Sequence, residues 1–298
     1  MHYDITFIGH MCYDEITAYQ GAPHVAPGSA VLCGAMAAAG AGAKVAIVAK
    51  MAAADEHILS PMTDRGVKAF VIAAKETTYS RVIHESPDPD VRRLILAKSA
   101  GFIVPDEVPP LDSTFVHLAG ISNEEFSMDL MAALKARGYS LSTDMQSFVR
   151  QVDPVTREIA FADVPAKKQI AALMDRLKLD VVEAKILTGT DDLEQAALAV
   201  ESWGCGEVLI TRQDGVLVRA GGRTHFEKFS NASIVGRTGR GDTTFAAYMA
   251  WRLAHTPAES TRFAAALVSI KMEKKGPFTG TLHEVLERMA RSHGGESR

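Results

Sequence analysis

The chain has 298 residues, enough to bury one large core or two smaller ones. Apolar residues make up 47% and charged residues 23%, the mixture of an ordinary globular protein. The formal net charge of −4 argues against a general nucleic-acid surface, which would be basic.

In chain order, Tyr3 to Ile8 predicts a strand in which Ile5 and Phe7 alternate with Thr6, closed by Gly9. Val31 to Ala39 is small and apolar and predicts a tightly packed helix, interrupted at Gly40 and Gly42. Lys44 to Lys50 predicts a buried strand. Lys68 to Ala73, Thr78 to His84 and Arg93 to Ala97 predict short strands of a small antiparallel sheet. From Thr114 the pattern turns to strand–helix alternation. Strands are expected at Thr114 to Leu118, Tyr139 to Thr143, Leu179 to Val182 and Glu207 to Thr211. Helices are expected at Glu124 to Arg137, Lys168 to Leu177, Leu193 to Trp203, Asp242 to His255 and Thr261 to Lys274. Val216 to Ala220 and Thr224 to Phe229 read as a hairpin, and Ser292 to Arg298 as a disordered tail. Such alternation predicts an α/β fold whose mainly parallel sheet is covered on both faces, with ligands at the carboxyl ends of its strands.

Cys12, Cys33 and Cys205 form no C-x-x-C pair and no zinc-ligand spacing, which suggests reduced thiols and a cytoplasmic setting. The N-terminus lacks the basic and apolar regions of a secretion signal, and Ala35 to Ala43 is too short to span a bilayer, so no membrane partner is expected. The chain carries no G-x-x-x-x-G-K-[ST], no H-E-x-x-H and no G-x-S-x-G. Gly40-Ala41-Gly42 lacks the third glycine of a dinucleotide fingerprint.

The stretch Gly236-Arg237-Thr238-Gly239-Arg240-Gly241-Asp242-Thr243-Thr244 carries the chemistry. Its glycines let backbone N–H groups approach a ligand, and the helix that follows adds unpaired donors and a positive dipole end. A carboxylate beside such an anion site suits the removal of a proton from an attacking hydroxyl. The alternative is a glycine-rich turn closed by an ordinary Asp cap.

The loop resembles the C-terminal signature of the ribokinase or PfkB-type carbohydrate kinases, usually Asp-Thr-Thr-Gly-Ala-Gly-Asp. The resemblance implies a ribokinase-like domain over residues 1–298, with a small β lid from about residues 11–20 and 68–97. It also implies an ATP- and Mg²⁺-dependent kinase acting on a sugar or cyclitol hydroxyl. Asp242 is then the base, and the backbone N–H groups of Gly239, Arg240, Gly241 and Asp242 are the anion hole. Gly236 stands where the family has its first Asp, which bears on the usual monovalent-cation site. Arg240 replaces an Ala, and Arg237 and Arg240 either face phosphate or point to solvent.

Other segments fall in the family's order. Asp14 matches the substrate-binding Asp, or is a turn residue after a strand. Pro27-Gly28-Ser29-Ala30-Val31-Leu32-Cys33 resembles Pro-Gly-Gly-x-x-x-Asn, with Ser29 for a Gly and Cys33 for the Asn. Asp180 to Gly189 resembles Asn-x-x-Glu…Leu-Thr-Gly, which makes Glu183 the organiser of magnesium. Ile210 to Val216 resembles the nucleotide turn, with Thr211 and Gly215 carried over, and Gly276 would lie near an adenine. Asp144, Gln146 and Arg150, within Thr143 to Pro154, are similar to a segment of plant-type myo-inositol kinases and would line the polyol or phosphate pocket. Asp144 alternatively caps the loop after its strand. The implied partner is a small sugar, cyclitol or nucleoside, with a homodimer through the lids. A nucleoside kinase and a non-catalytic relative that only binds are the alternatives.

Overall fold

The computed structural model describes residues 1–87 and 91–293. Its strands are β1 Tyr3–His10, β2 Cys12–Thr17, β3 Pro23–Gly28, β4 Val45–Met51, β5 Lys68–Ala73, β6 Thr78–His84, β7 Arg92–Lys98, β8 Ser113–Leu118, β9 Ser140–Asp144, β10 Arg150–Val152, β11 Ile159–Phe161, β12 Arg176–Asp180, β13 Glu207–Thr211, β14 Gly215–Ala220 and β15 Arg223–Lys228. The helices are α1 Ala30–Gly40, α2 Ser60–Thr63, α3 Met128–Ala136, α4 Gln146–Val149, α5 Lys167–Leu173, α6 Val181–Thr188, α7 Leu193–Ser202, α8 Arg240–Trp251, α9 Pro257–Met272 and α10 Leu282–His293.

Nine strands form the main sheet in the order β15-β14-β13-β12-β9-β8-β1-β4-β5. Pairing is parallel from β5 to β13 and antiparallel through the β13–β14–β15 meander. Alternate residues feed two cores, as the pleat requires. Ile5, Phe7 and Ile47 pack with α1, α8 and α9 on one face, whereas Ile8, Val48 and Val116 pack with α3 and α7 on the other. This is the ribokinase-like α/β fold that the strand–helix alternation and the motif order led us to expect. Among the described residues no helix is long and apolar enough to cross a membrane.

Several boundaries differ from expectation for physical reasons. β5 joins the edge of the main sheet rather than the small one, because it is apolar on both sides: Ala69 and Val71 meet one core and Phe70 and Ile72 the other. The small four-stranded sheet is β3-β2-β6-β7; Pro23–Gly28 lies outside the expected lid segments, and the sheet is mixed rather than antiparallel, because β2 pairs with β6 in parallel. β1 runs two residues past Ile8, to His10. Helix α3 starts only at Met128, because the Glu125 carboxylate is drawn back to accept from the N–H groups of Ile121, Ser122 and His10. Helix α5 stops at Leu173, and β12 begins at Arg176, one residue before the expected helix end, with Leu177 and Leu179 facing the same core. Helix α10 carries the chain through Ser292 to His293, and the rest of the expected disordered tail lies outside the described residues.

The β10–β11 hairpin was not anticipated. Arg157, at φ 63°, pairs with Glu124 at 2.7 Å and donates to the Leu96 carbonyl, tying the hairpin to the small sheet.

Candidate functional site

The carboxyl ends of β9, β12 and β13 meet the start of α8. Gly239 adopts φ 75°, a left-handed conformation that a side chain would strain, and α8 begins at the next residue. A Cβ on Gly239 would sit 2.4 Å from Cys33 Sγ, so α1 closes against the loop there. The Thr243 N–H bonds the Gly239 carbonyl, and the Arg240 N–H the Arg237 carbonyl. Gly241 and Asp242 lie between, in the first turn, where N–H groups have no partner within the helix. Asp242 is half-buried and acts electrostatically on Asp14, Cys33, Asp144, Lys178 and Lys271, which places it at the hub of the site.

Lys178 was not singled out in the sequence. It is buried on β12, with Nζ 2.7 Å from Asp144 Oδ2 and 3.8 Å from Glu183 Oε2. A Cβ on Gly241 would come within 2.8 Å of that ammonium, so the loop passes directly over it. Burial opposes a charge on Lys178, but Asp144 and Glu183 outweigh it and raise its proton affinity. Burial likewise pushes the Asp144 and Glu183 carboxyls upward, against the pull of Lys178. Asp144 also caps the loop after its strand, its Oδ1 accepting from the Gln146 N–H at 2.9 Å.

On the other side of Asp242 lies Asp14, on β2. Gly28 makes room for it, since a Cβ there would fall 1.9 Å from Asp14 Oδ2. Burial raises the Asp14 carboxyl, while Cys12 and Arg150 pull it down. Arg150 Nε is buried with no hydrogen-bond partner among the described residues, and its charge reaches both Asp14 and Glu183. Ser29, which stands for a glycine of the motif, holds a φ of 138° that suits glycine better, and its Oγ accepts from the Leu32 N–H at 3.0 Å. Burial, then Asp242, pushes the Cys33 thiol up to about 12. Gln146 donates to the Gly120 carbonyl at 2.8 Å and so backs the pocket wall.

The three nucleotide candidates do not converge equally. Thr211 ends β13 near the loop, its Oγ1 3.8 Å from a Cβ placed on Gly241. The Gly215 backbone packs on Glu227 and Phe226 of the neighbouring strand, and Gly276 lies in an exposed turn at φ 82°. Beside Arg212 and Gln213 runs an open groove of about 840 Å³, lined in part by Val181, Leu193, Phe229 and Ile234.

Among the described residues no group of three or more His, Cys, Asp or Glu side chains forms a metal cage. Glu183 Oε2 accepts from the Asp180 N–H at 2.7 Å, but Oε1, fully buried, has no hydrogen-bond partner there. That spare oxygen fits a magnesium brought in on phosphates, which needs only one or two carboxylates from the protein. A bound monovalent cation does not fit as well. Gly236 offers no side-chain ligand, a Cβ there would lie 1.9 Å from the Lys274 carbonyl oxygen, and Lys271 Nζ already donates to the carbonyls of Gly236 and Thr238.

Residues 2–283 match the pfkB family carbohydrate kinases. The chain is 28% identical over 257 residues to a cytidine kinase of Thermococcus kodakarensis, covering 83% of this chain and 87% of the relative. A sulfate complex of a pyrophosphate-dependent kinase in the ribokinase family superposes with a TM-score of 0.87 at 31% identity, over 95% of this chain and 99% of that one. A pyrophosphate-dependent kinase of that family, in complex with a pyrophosphate analog and myo-inositol, gives 0.85 at 30% identity, over 95% and 99%.

Proposed function

The chain belongs to the pfkB carbohydrate kinase family, phosphotransferases with an alcohol acceptor, and on that premise we propose that it phosphorylates a cyclitol such as myo-inositol from inorganic pyrophosphate. The observation that carries this reading is the ammonium under the glycine loop: Lys178, paired from below with Asp144 and Glu183, lies against Gly241 within electrostatic reach of the Asp242 carboxylate. Arg237 and Arg240, in the loop itself, add charge for the donor's phosphates, which matters most for pyrophosphate because it has no base or ribose to help hold it.

Asp242 takes the proton of the acceptor hydroxyl. The hydroxyl oxygen bonds to one phosphorus of the donor, the bridging P–O bond breaks, and its electron pair leaves on inorganic phosphate. The N–H groups of Gly239, Gly241 and Asp242, with Lys178 beneath them, stabilise the charge on the transferring oxygens, whereas the Arg240 N–H, expected among them, is taken by the Arg237 carbonyl. Glu183 would meet a donor-bound magnesium, which supplies further charge neutralisation. Asp14, Gly28, Ser29 and Arg150 receive the acceptor's hydroxyls, with Cys33, Asp144 and Gln146 behind them. The small sheet closes over the acceptor and excludes water. A homodimer through that sheet and a cytoplasmic location follow from the same reading.

ATP is the second reading for the donor. The groove beside Arg212 supports it, because Val181, Leu193 and Ile234 offer an apolar seat for a base. In that reading Thr211, Gly215 and Gly276 border the nucleotide.

The test is phosphorylated product from pyrophosphate or Mg-ATP, each paired with myo-inositol, ribose and cytidine. Asp242→Asn is expected to lower turnover by about 10²-fold or more. Transfer to cytidine alone would overturn the cyclitol reading, and undiminished turnover in the variant would remove Asp242 as the base.

A further inference from the structure

Lys271 takes no part in the chemistry above, yet it is buried, 2% exposed, at the end of α9. A lysine in the last turn of a helix ordinarily carries its ammonium out to water. This one instead turns inward and donates to two carbonyls of the glycine loop, Gly236 at 2.7 Å and Thr238. Burial lowers its affinity for a proton, and Cys33 and Asp242 act the other way, so its charge lies within reach of the reacting groups.

The loop has two kinds of backbone group to satisfy. Its N–H groups serve an anion, so the carbonyls need a positive partner of their own. A bound cation ringed by carbonyls and a carboxylate is one solution, but Gly236 supplies no carboxylate and leaves no room for one. An ammonium and a potassium ion are close in size and bind oxygen at similar distances. We propose that Lys271 is a built-in replacement for a bound monovalent cation, its ammonium holding the Gly236 and Thr238 carbonyls so that the loop's amides stay aimed at the donor. Lys271 is thus a positioning residue, and its catalytic consequence rests on the kinase reading above. Two parts of the chain far apart in sequence, the end of α9 and the entry to α8, are locked together by one side chain.

The experiment compares wild type and Lys271→Ala in tetramethylammonium, sodium, potassium and methylammonium salts at one ionic strength. Two quantities are read: phosphoryl transfer with the best donor and acceptor, and the melting temperature with and without inorganic pyrophosphate. Wild type is expected to vary by less than about twofold in rate, and its melting temperature to ignore the cation. The variant is expected to lose at least about tenfold in tetramethylammonium and to recover saturably with potassium or methylammonium. Its melting temperature should rise with the same cations and regain the pyrophosphate-induced shift.

Saturable activation of wild type by potassium would overturn the proposal. So would a folded variant that no cation rescues in rate or melting temperature. If the variant folds in none of the salts, Lys271→Met is put through the same series, and the wild-type cation profile decides by itself. If wild type transfers no phosphate to any acceptor, the kinase reading fails, while the melting series still tests the link between Lys271 and the loop.

Discussion

Lys178→Met removes one charge and keeps most of the stem. It leaves Asp144, 2.7 Å away, and Glu183, 3.8 Å away, buried without their cation. Breaking a buried pair from one side costs about 3–5 kcal/mol. Burial already raises both carboxyls, so either can escape its charge by taking a proton. That places the loss near about 3 kcal/mol at neutral pH. The sign with pH follows from the same direction. The variant's orphaned carboxyls bind protons more readily folded than unfolded, so its deficit shrinks as pH falls and grows as pH rises. Urea unfolding at pH 5.5 and pH 8, read as midpoint and slope, measures both quantities. Adding Asp144→Asn removes one of the orphaned charges and should return about 2 kcal/mol of the loss. Donor turnover in Lys178→Met should also fall by about 10²-fold, because the ammonium under the loop is gone. A loss below about 1 kcal/mol, or one equal at both pH values, would refute the claim that this ammonium neutralises the two acids.

Gly239→Ala forces a left-handed alanine and a Cβ 2.4 Å from Cys33 Sγ, so a destabilisation of about 2–4 kcal/mol is expected, partly relieved by adding Cys33→Ala; an unchanged melting temperature would count against the close contact. Ser29→Gly should stabilise by about 1 kcal/mol, because it frees a non-glycine residue from φ 138°, and a loss in denaturant unfolding would show that the Oγ bond to Leu32 outweighs the strain. Burial lowers His117 to about 3, from a value of 6.5 when exposed, so the unfolded chain binds this proton first as the medium is acidified. Its contribution is complete above pH 6.5 and falls by about 2 kcal/mol on going to pH 5, so His117→Leu should flatten the acid limb of the stability curve by that amount. An unaltered acid limb would show that His117 is protonated in the folded protein.

The sheet was legible because short apolar runs, alternating in Tyr3 to Ile8 and continuous in Glu207 to Thr211, are bounded by glycine and charge. The anion loop was legible because glycine spacing is a backbone requirement, and Gly239 and Gly241 each prove to need the absence of a side chain. Lys178 escaped because Arg176-Leu177-Lys178-Leu179-Asp180 reads as a charged junction between a helix and a strand. Only the register of β12 between β9 and β13 turns that lysine into the interior. Lys271 escaped for a related reason. A lysine near a helix end is ordinary, and its partners lie 33 to 35 residues earlier in the chain. Polar strands in the small sheet were missed where β-branched residues are sparse, as in Pro23–Gly28, whose strand is an exposed edge held by pairing to β2.

The Cys33 thiol, shut in by the backbone of Gly239, also gives the loop a clock. With its proton held up to about 12, the thiol is inert wherever it is buried. An alkylating reagent can reach it only in moments when the loop stands away from α1. The alkylation half-time of Cys33, followed by mass spectrometry on its peptide to separate it from Cys12 and Cys205, therefore reports loop opening, and a donor that fills the loop should stretch that half-time in inverse proportion to the fraction of loops left empty.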